Sequence, residues 1–190
     1  MTSPRLFVFS PSCHEPVNRA VFRVLAERGI PVHLAVPTRH FVGGGWRETE
    51  RRPAEGYTLS HLELKGTHLR LQRVEGLAGT IRDFAPTHVY IDADPASLLV
   101  LQAVRAAGQG VRLSAITAEN MPAETSKRLG EAQRAGAPKQ AVNVALKALL
   151  RGLARRRLDR VFTLSREGTE EAEAAGFRAT KIPLGYDPDL

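Results

Sequence analysis

The sequence predicts an α/β domain of the Rossmann-like class, in which helices flank a mostly parallel sheet of six or seven strands. Short apolar runs rich in Val, Ile, Leu and Phe recur along the chain, and segments with helical periodicity separate them. Glycine and proline fall between the two kinds of segment, where they end helices and open turns. Strands that alternate with helices are joined by right-handed crossovers, so we expect parallel pairing.

Apolar, β-branched runs mark the predicted strands. The first run is closed by the turn-rich Ser10-Pro11-Ser12-Cys13, and the second ends at Pro37. The fourth, HVYID, is the clearest, because an apolar run is followed at once by acidic residues. In chain order the predicted strands are residues 6–9, 32–36, 58–64, 88–92, 111–117, 160–164 and 180–184.

Helical periodicity marks the segments between these strands. Gly29 ends the first helix, and Ser165 is a suitable N-cap for the last. We expect the first helix to bury one apolar face, formed by Val17, Val21, Val24 and Leu25. The predicted helices are residues 16–28, 77–84, 96–107, 139–157 and 169–175.

Two polar segments, residues 40–57 with Gly43-Gly44-Gly45 and residues 121–138, stand outside the strand-helix alternation. Long connections in a compact α/β domain are usually mobile or functional.

The composition is that of a globular protein with anionic partners. The chain has 190 residues, 43% hydrophobic and 25% charged, and a net charge of +7. No apolar run approaches the roughly 20 residues that span a bilayer, and the opening MTSPRLFVFSPS is read as a first strand, not a signal peptide. The single cysteine, Cys13, cannot form an internal disulfide, which favours a reducing compartment. These observations predict a cytoplasmic protein.

The predicted helix over residues 139–157 is amphipathic and basic. Its apolar face consists of Val142, Leu146, Leu149, Leu150 and Leu153, and its basic face of Lys147, Arg151 and Arg155. The simpler interpretation puts the apolar face on the core and the basic face in water. The alternative rests the basic face on an anionic membrane surface, which would make the protein peripheral at the inner face of the membrane. Only 6% of residues are aromatic and no nucleic-acid module is recognisable, so no nucleic-acid partner is expected.

Polar residues that follow strands one, four and five are the candidate site. In open parallel sheets, ligands bind beyond the carboxyl ends of the strands, and these polar groups converge there. They can hydrogen-bond hydroxyl groups or exchange protons with them. The candidates are Ser12, Cys13, His14, Glu15, Asp92, Asp94, Glu119 and Asn120.

Each candidate also has a structural interpretation. Ser12 can cap the first helix, Cys13 can be a small buried residue, and His14 with Glu15 can be a solvated helix start. Asp92 and Asp94 can cap the helix that follows them. The first strand-helix turn has no glycine, so no dinucleotide fingerprint is present, and no P-loop occurs. The histidines are not spaced as metal ligands, so no metal site is predicted.

The ordered segments of the chain resemble the acceptor-side domain of subfamily-4-like glycosyltransferases. The segments are RLFVFSPS, VNRAVFRVLAERG, VHLAVP, APTHVYIDADPASLLVLQAVRAAG, VRLSAITAEN and LDRVFTLSREGTEEAEAAGF, and the closing KIPLGYDPDL is similar to the interdomain hinge of that family. The resemblance covers residues 5–190 and rests on the order and spacing of these segments. It implies one half of a GT-B fold, with residues 1–184 as the acceptor-side domain and residues 185–190 as the start of the hinge.

The resemblance also implies a division of labour. The nucleotide-sugar donor would bind mainly a second, C-terminal domain that this chain lacks, so the chain alone would be inactive and would hold no cofactor of its own. A sugar or glycolipid acceptor would bind here, and the configuration at the transferred sugar would be retained. The partners implied are that acceptor, the missing donor domain, and a second copy of the chain if an exposed apolar patch remains. The alternative function is a complete single-domain module that binds a small anionic ligand.

Carried onto this sequence, the acceptor-side positions of the family fall on the candidates named above. Asp94 and Glu119 would orient the acceptor hydroxyl as catalytic residues, and Asn120 would hydrogen-bond a sugar. The remaining acceptor-binding candidates are Ser12, Cys13, His14, Glu15 and Asp92. In the retaining mechanism that the family implies, the phosphate of the donor assists the attacking oxygen.

Overall fold

The computed structural model describes residues 3–54, 56–117 and 138–182. The strands are β1 (Leu6–Phe9), β2 (Val32–Pro37), β3 (Arg39–Val42), β4 (Gly45–Glu48), β5 (Thr58–Leu62), β6 (Leu64–Lys65), β7 (Arg73–Val74), β8 (His88–Ile91), β9 (Arg112–Thr117), β10 (Arg160–Thr163) and β11 (Ala179–Lys181). The α-helices are α1 (Ala20–Glu27), α2 (Leu77–Phe84), α3 (Leu98–Ala106), α4 (Pro138–Arg155) and α5 (Arg166–Ala174), and 3-10 turns cover Ser12–His14, Pro16–Arg19 and Leu69–Leu71.

The main sheet has seven strands in the order β11-β10-β9-β8-β1-β2-β5, and every neighbouring pair is parallel. The chain starts in the middle of the sheet, builds β2 and β5 on one side of β1, and then crosses to β8 on the other side. The predicted α/β class and Rossmann-like sheet are therefore confirmed. The strand order reverses between β1 and β8, where Leu6 is paired with both Val32 and His88, and this switch point is where such sheets bind ligands.

Buried apolar residues on both faces hold the sheet to its helices. On one face, Phe7, Val89 and Leu113 belong to a cluster that also contains α2, α3 and the buried side of α4. On the other face, Val8 and Leu34 pack with Phe22 of α1. Burying each large apolar side chain contributes about 1.5–3 kcal/mol, so the central strands are the most firmly held elements.

The prediction for the buried face of the first helix is only partly confirmed, because Leu25 packs against the cluster of Val8 and Leu34 but the three valines do not. Val17, Val21 and Val24 are 52%, 56% and 39% exposed, whereas Phe22 is 7% exposed and packs on the sheet. The helix begins with the 3-10 turn Pro16–Arg19, which has a tighter winding and shifts the phase of the residues that follow. Burying an aromatic ring also removes more apolar surface from water than burying a valine does.

The prediction for the two faces of α4 is also only partly confirmed, because Leu146 and Leu150 of the predicted apolar face do pack on the core. Val142, Leu149 and Leu153 are 65%, 59% and 46% exposed, and the helix packs inward through Leu150 and Ala154. The predicted basic face does not lie in water along its length, since Lys147 and Arg151 approach Glu171 of α5. The difference arises from tertiary structure, because the carboxylate that pairs with these cations belongs to α5 and cannot be inferred from the sequence of α4.

Part of the polar segment over residues 40–57 is a regular hairpin. Strands β3 and β4 pair in antiparallel fashion around Gly43 and Gly44, whose φ angles are +59° and +81°. A two-residue turn with both φ angles positive matches the twist of a hairpin and favours glycine at both positions. The Arg39 guanidinium lies 4.7 Å from the ring centroid of Trp46, which closes one face of the hairpin.

No helix within residues 3–54, 56–117 and 138–182 has both the length and the apolar character that crossing a membrane requires.

Candidate functional site

A cavity of about 710 Å³ lies at the carboxyl ends of β1, β8 and β9. Pro11 after β1, Asp92 and Asp94 after β8, and Ile116 near the end of β9 line one side. The segment between β6 and β7 forms the opposite wall through residues 67–70 and Gln72. The cavity therefore lies where the strand-end rule places a ligand, beside the switch point of the sheet.

Asp92 is held at the edge of this cavity by the first loop, which is the loop that follows β1. Its backbone N–H donates to the carbonyl of Phe9 at 2.9 Å, which continues the β1–β8 pairing by one residue. Its Oδ2 accepts hydrogen bonds from the hydroxyls of Ser10, at 2.6 Å, and of Ser12. Its Oδ1 has no protein partner among the residues that the structure describes. The carboxylate is thus fixed in orientation and keeps one oxygen for a ligand.

Asp94 has a positioning role that the sequence left open. Its Oδ1 accepts from the backbone N–H of Ala96 at 2.7 Å, and its Oδ2 accepts from the Thr117 hydroxyl at 2.8 Å. The Arg70 guanidinium lies 3.6 Å from the same Oδ1. The helix cap itself is Ser97, whose hydroxyl accepts from the N–H of Val100. Asp94 therefore ties the end of β9 to the loop after β8 and to the opposite wall of the cavity.

Arg70 and Ser10 line or support the site but were not predicted from the sequence. Arg70 lies in the 3-10 turn Leu69–Leu71, which the small β6–β7 ladder carries to the cavity. Gln102 secures that ladder, because its side chain accepts from the N–H of Val74 at 2.9 Å and donates to the carbonyl of the same residue at 3.2 Å. A strand of two residues has too short a pattern to recognise in a sequence. Ser10, only 2% exposed, resembled an ordinary turn residue.

The other candidates of the first loop do not line this cavity. The Cys13 side chain is 3% exposed and packs in the cluster of Val8 and Phe22. The rings of His14 and His40 stack with centroids 3.5 Å apart, and His14 Nε2 lies 3.3 Å from the Glu15 carboxylate. Burial, followed by the charge of His14, lowers the pKa of His40. Ser12 and Asp92 are therefore the predicted acceptor-binding residues that the structure brings together.

The buried Arg19 side chain holds the first loop in place through hydrogen bonds to backbone carbonyls. Its side chain is 4% exposed, and its Nε donates to the carbonyl of Cys13 at 2.8 Å. Its Nη2 donates to the carbonyls of His14, at 3.2 Å, and Glu50, at 3.0 Å. This one side chain joins the loop after β1 to the segment after β4.

Cys13 is expected to resist alkylation in the folded chain. Burial raises the pKa of its thiol, so at a given pH less of the reactive thiolate is present than in a free cysteine. We expect iodoacetamide to label native Cys13 at least about tenfold more slowly than the urea-unfolded chain, because labelling requires local opening. Mass spectrometry over a time course at one pH measures both rates. Equal rates would contradict the buried position of the thiol.

Glu119 and Asn120 lie outside the described residues, as do residues 185–190 of the predicted hinge. Their predicted roles stay predictions. Within the residues that are described, no group of three or more His, Cys, Asp or Glu side chains is arranged to hold a metal ion.

Comparison with known proteins adds no family to this description. No family model matches the chain, and no curated protein matches it at a significant level. The chemistry of the cavity therefore carries the functional inference.

Proposed function

We propose that this chain is the acceptor-side domain of a glycosyltransferase, and that its acceptor binds in the cavity at the carboxyl ends of β1, β8 and β9. The observation that carries the proposal is Asp92, a carboxylate in that cavity with Oδ2 held by Ser10 and Ser12 and Oδ1 without a protein partner among the described residues. A carboxylate oxygen held in this way accepts a hydrogen bond from a sugar hydroxyl. The nucleotide-sugar donor would bind mainly a second domain.

The walls of the cavity favour an acceptor with an apolar part. Leu99 and Ile116 contribute apolar lining, and Leu69 is 74% exposed on the opposite wall. Leu71, next to Arg70, is 42% exposed. Exposed leucines beside a concave site are typical of ligand contacts. A glycolipid or an alkyl glycoside fits this surface better than a free sugar does.

In the proposed complex, the side chains of this domain orient the acceptor. Asp92 Oδ1 would receive a hydrogen bond from the acceptor hydroxyl and turn the lone pairs of that oxygen toward the donor side of the cleft. Asp94 would act through position: it fixes Arg70 and Thr117 on two sides of the cavity. The donor phosphate would take up the proton in a retaining transfer, so the proposal does not require a protein base in this domain.

The proposal predicts that the chain binds alkyl glycosides through Asp92. A panel of octyl glycosides differing in the sugar, each below its micelle concentration, is titrated and followed by saturation-transfer NMR. Replacing Asp92 by Asn removes the charged acceptor and should weaken binding roughly tenfold, since a hydrogen bond to a charged group contributes about 1.5–3 kcal/mol. Asp83→Asn is the matched control, because Asp83 is an exposed carboxylate on α2 outside the cavity.

A second variant tests the apolar wall. Leu69→Ser should reduce the preference for octyl over methyl glycosides and leave binding of the methyl glycosides unchanged. Urea unfolding of each variant establishes that the fold is intact. If no glycoside binds the wild-type chain, or if Asp92→Asn binds as well as Asp83→Asn does, the proposed function is wrong.

A further inference from the structure

A second cavity, of about 430 Å³, lies at the opposite edge of the sheet. Its lining comes from the residues that open successive strands: His88 of β8, Arg112 of β9 and Arg160 of β10, with Arg178 directly before β11. His88 lies directly opposite Arg112, whereas Arg160 lies opposite Ser114 and is therefore the diagonal neighbour of Arg112 on the same face of the sheet. The position of these lining residues is therefore set by the pairing of the strands.

This amino-edge cavity is basic, and its three arginines are exposed to solvent. Arg112, Arg160 and Arg178 contribute three guanidinium groups to its lining, and none of them forms an ion pair with a carboxylate in the part of the chain that is described. Arg160 donates to the hydroxyl of Thr180 at 2.5 Å. Like charges gathered in one concave site repel each other, and a bound anion removes that repulsion.

One acidic side chain also lines the cavity, and the backbone already engages it. The Oδ2 atom of Asp159 accepts a hydrogen bond from the N–H of Leu113 at 2.8 Å, and the N–H of Asp159 donates to the carbonyl of Leu113 at 2.8 Å. The Asp159 carboxylate thus fixes the start of β9 next to β10. It offsets one of the three positive charges and leaves the cavity with a net positive charge.

One aromatic residue also lines the cavity, together with Leu113 and Ser114. Phe162 lines it, half-buried, and the Phe162 ring meets Tyr90 edge to face with centroids 6.0 Å apart. A volume of 430 Å³ is at the lower end of the range of roughly 300–1,000 Å³ for small-molecule sites. Planar guanidinium groups bind phosphate oxygens through paired hydrogen bonds.

We infer that this amino-edge cavity binds a small phosphate-bearing anion through Arg112, Arg160 and Arg178. The site lies across the sheet from the acceptor cavity, shares no lining residue with it, and does not depend on the proposed function. The same phosphate chemistry is found in a free diphosphate and in an anionic lipid headgroup, and the experiment separates these two sources.

The test is a calorimetric titration of the full chain with inorganic pyrophosphate. Wild-type protein should bind it, and the double variant Arg112→Gln/Arg178→Gln should bind at least about tenfold more weakly, because two of the three guanidinium contacts are lost. Arg28→Gln/Arg82→Gln is the matched control: both arginines are exposed, lie on α1 and α2 or next to them, and carry the same charge. Absence of binding to the wild type, or equal weakening in the two double variants, would overturn the inference.

Sedimentation with vesicles identifies the source of the phosphate. Vesicles of phosphatidylcholine with and without phosphatidic acid are mixed with the same proteins. The site is assigned to a lipid headgroup if the protein sediments only with vesicles that contain phosphatidic acid, if Arg112→Gln/Arg178→Gln does not sediment, and if pyrophosphate displaces the protein. If the protein binds pyrophosphate but not the vesicles, the site is assigned to a free anion. Asp92→Asn should bind pyrophosphate as the wild type does, so this result and the glycoside result succeed or fail separately.

Discussion

Replacing Glu171 by Gln is expected to lower the free energy of unfolding by about 1.5–3 kcal/mol, the contribution of a hydrogen bond between charged groups. The Glu171 side chain is 9% exposed, and those of Lys147 and Arg151 are each 13% exposed. Glu171 Oε1 lies 3.0 Å from Arg151 Nη1 and 3.9 Å from Lys147 Nζ. The variant removes the carboxylate that both cations of α4 approach in this poorly solvated contact with α5. Urea unfolding monitored by circular dichroism measures the loss.

The neighbouring residue gives a matched control. Glu170 pairs with Arg166 at 2.9 Å, but their side chains are 61% and 83% exposed. An exposed ion pair contributes about 0–1 kcal/mol, so Glu170→Gln should be close to neutral. Equal losses in Glu170→Gln and Glu171→Gln would contradict the buried contact.

The strands were predictable because their signal is local. A buried parallel strand is an apolar run closed by polar or turn residues, and β1, β8 and β9 all have this form. Helix faces were less predictable, because neighbours decide which side is buried. Glu171 of α5 pairs with the basic side of α4, and α1 packs on the sheet through Phe22 and not through its valines. Periodicity indicates that a helix is amphipathic, but it does not say which polar groups a neighbouring helix can pair with.

The same distinction holds for the candidate site: residues with a local sequence signal were predicted, and residues placed by tertiary contacts were not. Asp92 and Asp94 were predicted because both lie at the carboxyl end of one strand, and both line the cavity. Arg70 could not be predicted, because its contact with Asp94 depends on the β6–β7 ladder and on the clamp formed by Gln102. Sequence reasoning placed Cys13 in the site from its neighbours along the chain, whereas the 3-10 turn directs its side chain into the core.

Replacing Arg19 by Met is expected to destabilise the chain by about 2–3 kcal/mol. Two effects oppose each other. Three hydrogen bonds from a charged donor to the carbonyls of Cys13, His14 and Glu50 are lost, each contributing about 1.5–3 kcal/mol. The Arg19 side chain is 4% exposed, and its Nη1 has no hydrogen-bond partner among the described residues. Burying this cation is unfavourable, so its removal stabilises the folded state in part. The lost hydrogen bonds outweigh that stabilisation because they join two separate segments.

Three measurements test the role of Arg19: the stability of the chain, hydrogen exchange in the loops that it joins, and glycoside binding. Arg28→Met, at an exposed position, should change stability by less than about 0.5 kcal/mol, and Arg19→Lys should lie between the two because an ammonium group cannot reach all three carbonyls. Hydrogen exchange should rise in residues 12–19 and 49–50 of Arg19→Met more than in the central strands. Since Ser10 and Ser12 hold Asp92 from this loop, glycoside binding should weaken together with the loop even where the protein remains folded. Faster exchange spread evenly over the whole chain would mean that Arg19 stabilises the fold in general and does not position the site.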